Sequence, residues 1–155
     1  MNKKNPQANE ATIIKDEIVK DIVAINKGKA GDAQLRPNMA VLIIGDEMEC
    51  KNKLANLEKE AKKVGIDIHS YICPLDSDME EIEAMTECLN EDELIDGIYL
   101  YEEVPEEFDY EKIISTIETS KNLNSSLENN NEEIKIAKLF RSCLDIMKDK
   151  EKNSQ

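Results

Sequence analysis

The chain has 155 residues, 40% hydrophobic and 35% charged, with a net charge of −14. That size suggests one domain, with enough apolar residues for a core and too many for a disordered chain. The charge disfavours nucleic acid and anionic membranes as partners, because both carry the same sign.

No apolar run is long enough to span a bilayer, and MNKKNPQANE lacks the apolar segment of a signal peptide, so a cytoplasmic protein is expected. The first ten residues, Met1–Glu10, are polar and expected to fray. From Ala11 to Lys27, Ile14, Ile18, Ile22 and Ile25 recur at helical spacing with Val19 and Val23 beside them, and Gly28, Gly31 and Pro37 then mark a loop. Ala40–Ile44 is a continuous apolar run of β-type residues, the pattern of a strand buried on both faces. After Gly45, Leu54, Leu57, Ala61 and Val64 define a helix that Gly65 can cap. The whole stretch Met39–Lys63 therefore reads as strand, glycine turn and helix, the junction at which α/β proteins place their ligands.

Ile66–Cys73 alternates as a second strand ended by Pro74. Ser77 or Asp78 can cap a third helix that turns Met79, Ile82, Met85 and Leu89 inward. Asp96–Tyr101 is a third strand, Pro105 breaks the chain, and Tyr110–Thr119 forms a short helix through Ile113, Ile114 and Ile117. Lys121–Glu133 is an asparagine-rich linker expected to hold no core residue. Ile134–Lys150 then carries Ile136, Leu139, Phe140, Cys143, Leu144 and Met147 on one helical face, expected to pack on the domain, with 151–155 a tail. The alternation implies a three-layer α/β/α fold with a small, mainly parallel sheet and the last helix packed back on it. The four cysteines form no C-x-x-C pair and are expected to be free thiols, partly in the core. The single histidine, His69, lies inside a strand pattern, and no His/Cys cluster supports a metal site.

Several of these segments together resemble the N-terminal, folate-binding domain of the bifunctional methylenetetrahydrofolate dehydrogenase/cyclohydrolase family. They are the Arg36-Pro37 loop leading into AVLIIG, VGIDIHSYICP over Val64–Pro74, and LNEDELIDGIYL over Leu89–Leu100. Residues 11–120 would be that domain. IKIAKLFRSCLDIMK resembles the family's last helix, with residues 121–133 standing where the family has a whole NAD(P)-binding domain. No G-x-G-x-x-G loop occurs, so no nicotinamide cofactor is expected.

The resemblance implies a catalytic lysine on the helix after Gly45, four residues past a tyrosine. Those positions hold Leu57 and Lys53. The family's glutamine at the end of the third strand falls at Tyr101, one of its two following prolines survives as Pro105, and its folate-holding aspartate falls in the Asn122–Ser125 stretch, with Asn124 in the degenerate slot. None of the family's folate-loop residues remains in Asn129–Glu133. Leucine cannot move a proton. The expectation is a catalytically inactive relative that acts by binding a protein or a folate ligand, monomeric by default. Gly45, Lys53, Leu57, Tyr101 and Pro105 are its folate-pocket candidates. Two alternatives stand beside it: a residual cyclohydrolase whose site has moved to Lys53 and Tyr101, and a folate or pterin sensor without catalysis.

Overall fold

A computed structural model describes residues 6–126 and 131–153. Parts of the expected polar N-terminus, linker, folate-loop segment and tail therefore lie outside the described residues. Three parallel strands form one sheet: β1 (Asn38–Ile44), β2 (Asp67–Cys73) and β3 (Gly97–Leu100), in the order β2-β1-β3. Five helices surround it: α1 (Pro6–Ile25), α2 (Glu47–Val64), α3 (Met79–Glu91), α4 (Tyr110–Thr116) and α5 (Glu132–Asn153).

The central position of β1 explains its unbroken apolar run. Met39, Val41 and Ile43 point to a layer built from α1, α2 and α5. Ala40, Leu42 and Ile44 point to a layer built from α3 and α4. The result is the three-layer α/β/α arrangement, with α5 packed on the domain. Phe140 of α5 is wholly buried in the first layer.

The helix starts follow local chemistry. Asp46, Asp78 and Asp109 each accept a hydrogen bond from a backbone N–H three residues on, satisfying an orphan donor of α2, α3 and α4 respectively. Gly65 closes α2 in the left-handed conformation at φ 93°.

Four sequence expectations need correction. First, α1 begins at Pro6 rather than Ala11, since proline is well tolerated in the first turn of a helix. It ends at Ile25, and Val19 and Val23 face solvent, so its buried stripe is narrower than expected. Second, α4 stops at Thr116 because the Asn90 side chain intercepts its end: Asn90 Nδ2 donates to Thr116 O, and Glu118 N donates to Asn90 Oδ1. Third, β2 does not alternate cleanly. It is an edge strand, and His69 and Ser70 side by side are exposed, His69 Nε2 lying 2.9 Å from Asn38 Oδ1.

The fourth concerns the linker. Its first residues belong to the core. Ile98 N donates to Lys121 O and Leu123 N to Ile98 O, so Asn122 bridges β3 in parallel fashion. Leu123 is 1% exposed and lies against Gly97, and the last helix already begins at Glu132.

At this same end of the sheet, Asp96 is buried and accepts from Asn38 N and from Lys150 Nζ of α5, at 2.8 and 2.7 Å. Arg141 Nη1 adds a second tie, 2.9 Å from Asp21 of α1.

The four thiols differ in one testable respect. Cys50, Cys73 and Cys143 are buried, and burial pushes each thiol pKa up, whereas Cys88 is exposed. Thiolate is the reacting form. A disulfide-exchange reagent should therefore titrate Cys88 rapidly in the native protein and the other three only on unfolding. Rapid reaction of a second thiol would contradict this packing.

Candidate functional site

Lys53 and Leu57 stand one turn apart on α2, and Tyr101 follows β3 directly, its N–H donating to Leu42 O at 2.9 Å. The sheet thus aims Tyr101 at α2, and the ring of Tyr99 meets it edge-on with centroids 6.3 Å apart. Opposite them lies the first part of α5. Lys53, Leu57, Tyr99, Tyr101, Lys135 and Leu139 line one cavity of about 40 Å³.

Leu57 is only 5% exposed and belongs to the core cluster of Leu54, Ala61 and α5 residues such as Leu139 and Phe140. It packs where the family resemblance calls for a catalytic lysine.

Two ion pairs fence this cavity. Lys53 Nζ lies 2.8 Å from Glu103 Oε2, and Lys135 Nζ lies 2.5 Å from Glu102 Oε1. The hydrogen bond that Lys53 donates to Glu103 holds the Lys53 pKa above its ordinary value despite partial desolvation. Burial raises the Tyr101 pKa, and Glu103 and Glu132 raise it further. At neutral pH the pair is an ammonium and a phenol. Both are donors, and neither is a base that could take a proton from water.

The other sequence-proposed residues lie elsewhere. Asn124 clasps the end of β3: its Oδ1 accepts from Leu100 N at 2.9 Å, while its Nδ2 donates to Leu100 O at 2.8 Å and to Tyr110 OH at 3.2 Å. That amide is spent on the Leu100 backbone and the Tyr110 hydroxyl. Gly45 donates its N–H to Cys73 O and faces a separate depression. A Cβ on Gly45 would stand 3.1 Å from Cys50 Sγ, so its role is to let the chain pass over that thiol. Pro105 accepts from Phe108 N in a turn that plants Phe108 in the α3–α4 layer. The structure therefore brings together Lys53, Leu57 and Tyr101, and places Gly45, Pro105 and Asn124 outside their cavity.

Asn56, Tyr99, Glu132, Lys135, Ile136 and Leu139 complete the lining, and none of them is a site residue by the sequence reading. Leu139 was visible only as a member of the α5 stripe, and nothing in the sequence links Lys135 to Glu102. No group of three or more His, Cys, Asp or Glu among the described residues could hold a metal ion. Nor is any described helix long and apolar enough to cross a membrane.

Ligand pockets for drug-sized molecules run to about 300–1,000 Å³, and one water fills about 30 Å³. The cavity beside Lys53 is on the scale of a water and too small for a bicyclic pterin.

Comparison with known proteins gives a consistent result. The profile of the tetrahydrofolate dehydrogenase/cyclohydrolase catalytic domain matches residues 8–124. The bifunctional protein FolD of Acetivibrio thermocellus is 25% identical over 115 residues, covering 74% of this chain and 39% of that protein. Anaplasma phagocytophilum FolD is 27% identical over 99 residues, 64% of this chain and 33% of its own length. The chain thus spans well under half of the relatives it matches.

Among solved structures, a 5,10-methylenetetrahydrofolate dehydrogenase from the silkworm Bombyx mori superposes with a TM-score of 0.62 at 26% identity, covering 73% of this chain and 38% of that one. The FolD methylenetetrahydrofolate dehydrogenase/cyclohydrolase of Campylobacter jejuni gives a TM-score of 0.66 at 20% identity, covering 76% of this chain and 40% of that one, a likeness of fold alone.

Proposed function

The chain belongs to the tetrahydrofolate dehydrogenase/cyclohydrolase catalytic-domain family, and from that premise we propose that this member is catalytically silent and acts by binding another protein. The observation that carries the reading is the cavity of about 40 Å³ where Leu57, Lys53 and Tyr101 meet. Leu57 fills the position of the family's lysine as a packing residue, and Lys53 is held as a cation by Glu103. A pterin finds neither room nor a base there. No glycine-rich phosphate loop occurs in the sequence, so a nicotinamide dinucleotide has no site in this reading and no hydride step is assigned.

One observation favours the residual cyclohydrolase: Lys53 and Tyr101 do share a cavity. Its volume and the Lys53–Glu103 pair weigh against that alternative, and the volume weighs equally against a folate sensor.

The purified protein, mixed with methenyltetrahydrofolate, should leave the uncatalysed hydrolysis rate unchanged, and with methylenetetrahydrofolate plus either nicotinamide dinucleotide it should produce no reduced cofactor. Calorimetric titration with tetrahydrofolate should give no binding heat. A hydrolysis rate that scales with protein concentration and falls in Lys53→Met would overturn the reading in favour of a relocated site. Binding heat without turnover would favour the sensor.

A further inference from the structure

Parallel strands deliver β1 and β2 to one rim of the sheet, where α2 and α3 begin. Between these helix starts runs an open groove of about 580 Å³, lined by Gly45, Asp46, Glu47, Ile72, Pro74 and Leu75. Its apolar wall ends in Leu75, 54% exposed, and the α2 turn that holds Glu47 also puts Met48 into solvent at 73% exposure. Leu75 continues the apolar wall of Ile72 and Pro74 into solvent, and exposed apolar surface continuous with a groove and rimmed by polar residues marks an interaction surface.

The charge around the groove is one-sided. Asp46 and Asp78 serve as helix caps, and Glu47 pairs with Lys51. Glu49, Asp76, Glu80 and Glu81 have no cation within ion-pair distance among the described residues. First-turn glutamates favour the helix dipoles. That accounts for part of the acidity, but not for Asp76 or for the exposure of Leu75 and Met48. A second copy of a chain carrying −14 is repelled from this rim, as are anionic lipid and nucleic acid.

We propose that this groove docks a basic segment of another protein. An apolar side chain of that segment enters against Ile72, Pro74 and Leu75, and flanking Lys or Arg residues pair with Glu49, Asp76 and Glu80. The assignment rests on the reading that this protein works through protein contacts, and it names the place and the chemistry of one such contact. Apolar burial supplies the hold, and the acidic rim supplies steering and selectivity.

The test uses the full chain, labelled for amide NMR, and three synthetic peptides: a Lys/Arg-rich peptide with one central leucine, the same peptide with that leucine replaced by serine, and a version with glutamate in place of each cation. The leucine peptide should shift amides within 45–51 and 72–81. The serine peptide should bind about tenfold more weakly, as expected for losing one buried apolar side chain. The glutamate peptide should not bind. Leu75→Ser should weaken the leucine peptide by a similar factor with the unfolding temperature unchanged, because Leu75 is outside the core.

Equal binding of the leucine and serine peptides, shifts centred elsewhere, no binding of the leucine peptide, or self-association through this rim by sedimentation would each overturn the proposal. Such a failure leaves catalytic silence standing. Turnover in the folate assays would overturn that silence and leave the peptide result untouched.

Discussion

Replacing Leu57 by lysine, the residue that the family resemblance places there, should make the protein easier to unfold and should not make it an enzyme. Leu57 is 5% exposed and is surrounded by Leu54, Ala61, Ile136 and Leu139. An ammonium at this point loses hydration, and its neighbours on the cavity wall include two further cations, Lys53 and Lys135. Those two are already matched to Glu103 and Glu102, leaving Glu132 as the carboxylate on the cavity wall. Glu132 is exposed and screened by solvent, so it offsets little of the cost, and a buried charge without a partner costs about 3–5 kcal/mol. The group responds by losing its proton, so its folded-state pKa falls below the ordinary value near 10.4.

The sign of the pH dependence follows from that fall. Between the lowered folded-state pKa and the unfolded-state pKa the unfolded chain binds more protons than the folded one, so the variant should gain stability as pH rises through that window. Urea unfolding should show a midpoint well below wild type at neutral pH and a smaller gap at alkaline pH. Leu57→Met, which conserves volume, should cost less than about 1.5 kcal/mol and show no such pH trend. Methenyltetrahydrofolate should still hydrolyse at the uncatalysed rate in the presence of Leu57→Lys, because a cavity of about 40 Å³ does not admit the substrate. A variant as stable as wild type that also accelerates hydrolysis would show that the α2–α5 contact opens, and would remove the main argument for silence.

The same residue shows how much of the site was legible in the sequence. Leu57 extends the stripe of Leu54, Ala61 and Val64, so its burial follows from helical spacing alone. β1 was equally plain, because a central strand covered on both faces must be apolar throughout. Lys53 and Tyr101 could be placed near each other because a helix after a glycine turn and the end of the neighbouring strand converge on one edge of the sheet. The size of the space between them could not be read, since α5 lines it from residues more than thirty positions away.

Contacts made by single polar side chains were also hidden. Asn90 fixes the end of α4, and Asn124 clasps Leu100, yet both look like ordinary surface or linker asparagines. No periodicity reports a hydrogen bond to a distant backbone. The docking of Lys121–Asn124 on the sheet is hidden for the same reason: it is held by two backbone hydrogen bonds to Ile98, by side-chain bonds from Lys121 and Asn124 to backbone, and by one buried leucine.

Gly97→Ala probes that hold directly. A Cβ built on Gly97 would lie 2.7 Å from Leu123 Cδ1 and 2.9 Å from both Cδ2 and Cγ. The clash involves the branch point of the leucine, so rotating one methyl does not relieve it, and Leu123 at 1% exposure has no free volume to enter. Overpacking of this kind costs about 1–3 kcal/mol, which for a chain of this size lowers the unfolding temperature by about 2–4 °C per kcal/mol.

Leu123→Ala alone leaves a void and should cost about 2–5 kcal/mol. In the double variant the alanine methyl at 97 occupies part of that void. The two losses should then fall short of their sum by about 0.5–3 kcal/mol, the range found for residues in contact. Strict additivity would mean that Leu123 is not seated on Gly97 and that the stretch is the free linker its composition suggests. The consequence reaches the cavity, because Asn124 follows Leu123 and its clasp on Leu100 fixes the residue just before Tyr101. If the stretch is docked as described, Gly97→Ala should also disturb the Tyr101 ring and shift its NMR signals, although position 97 does not line the cavity.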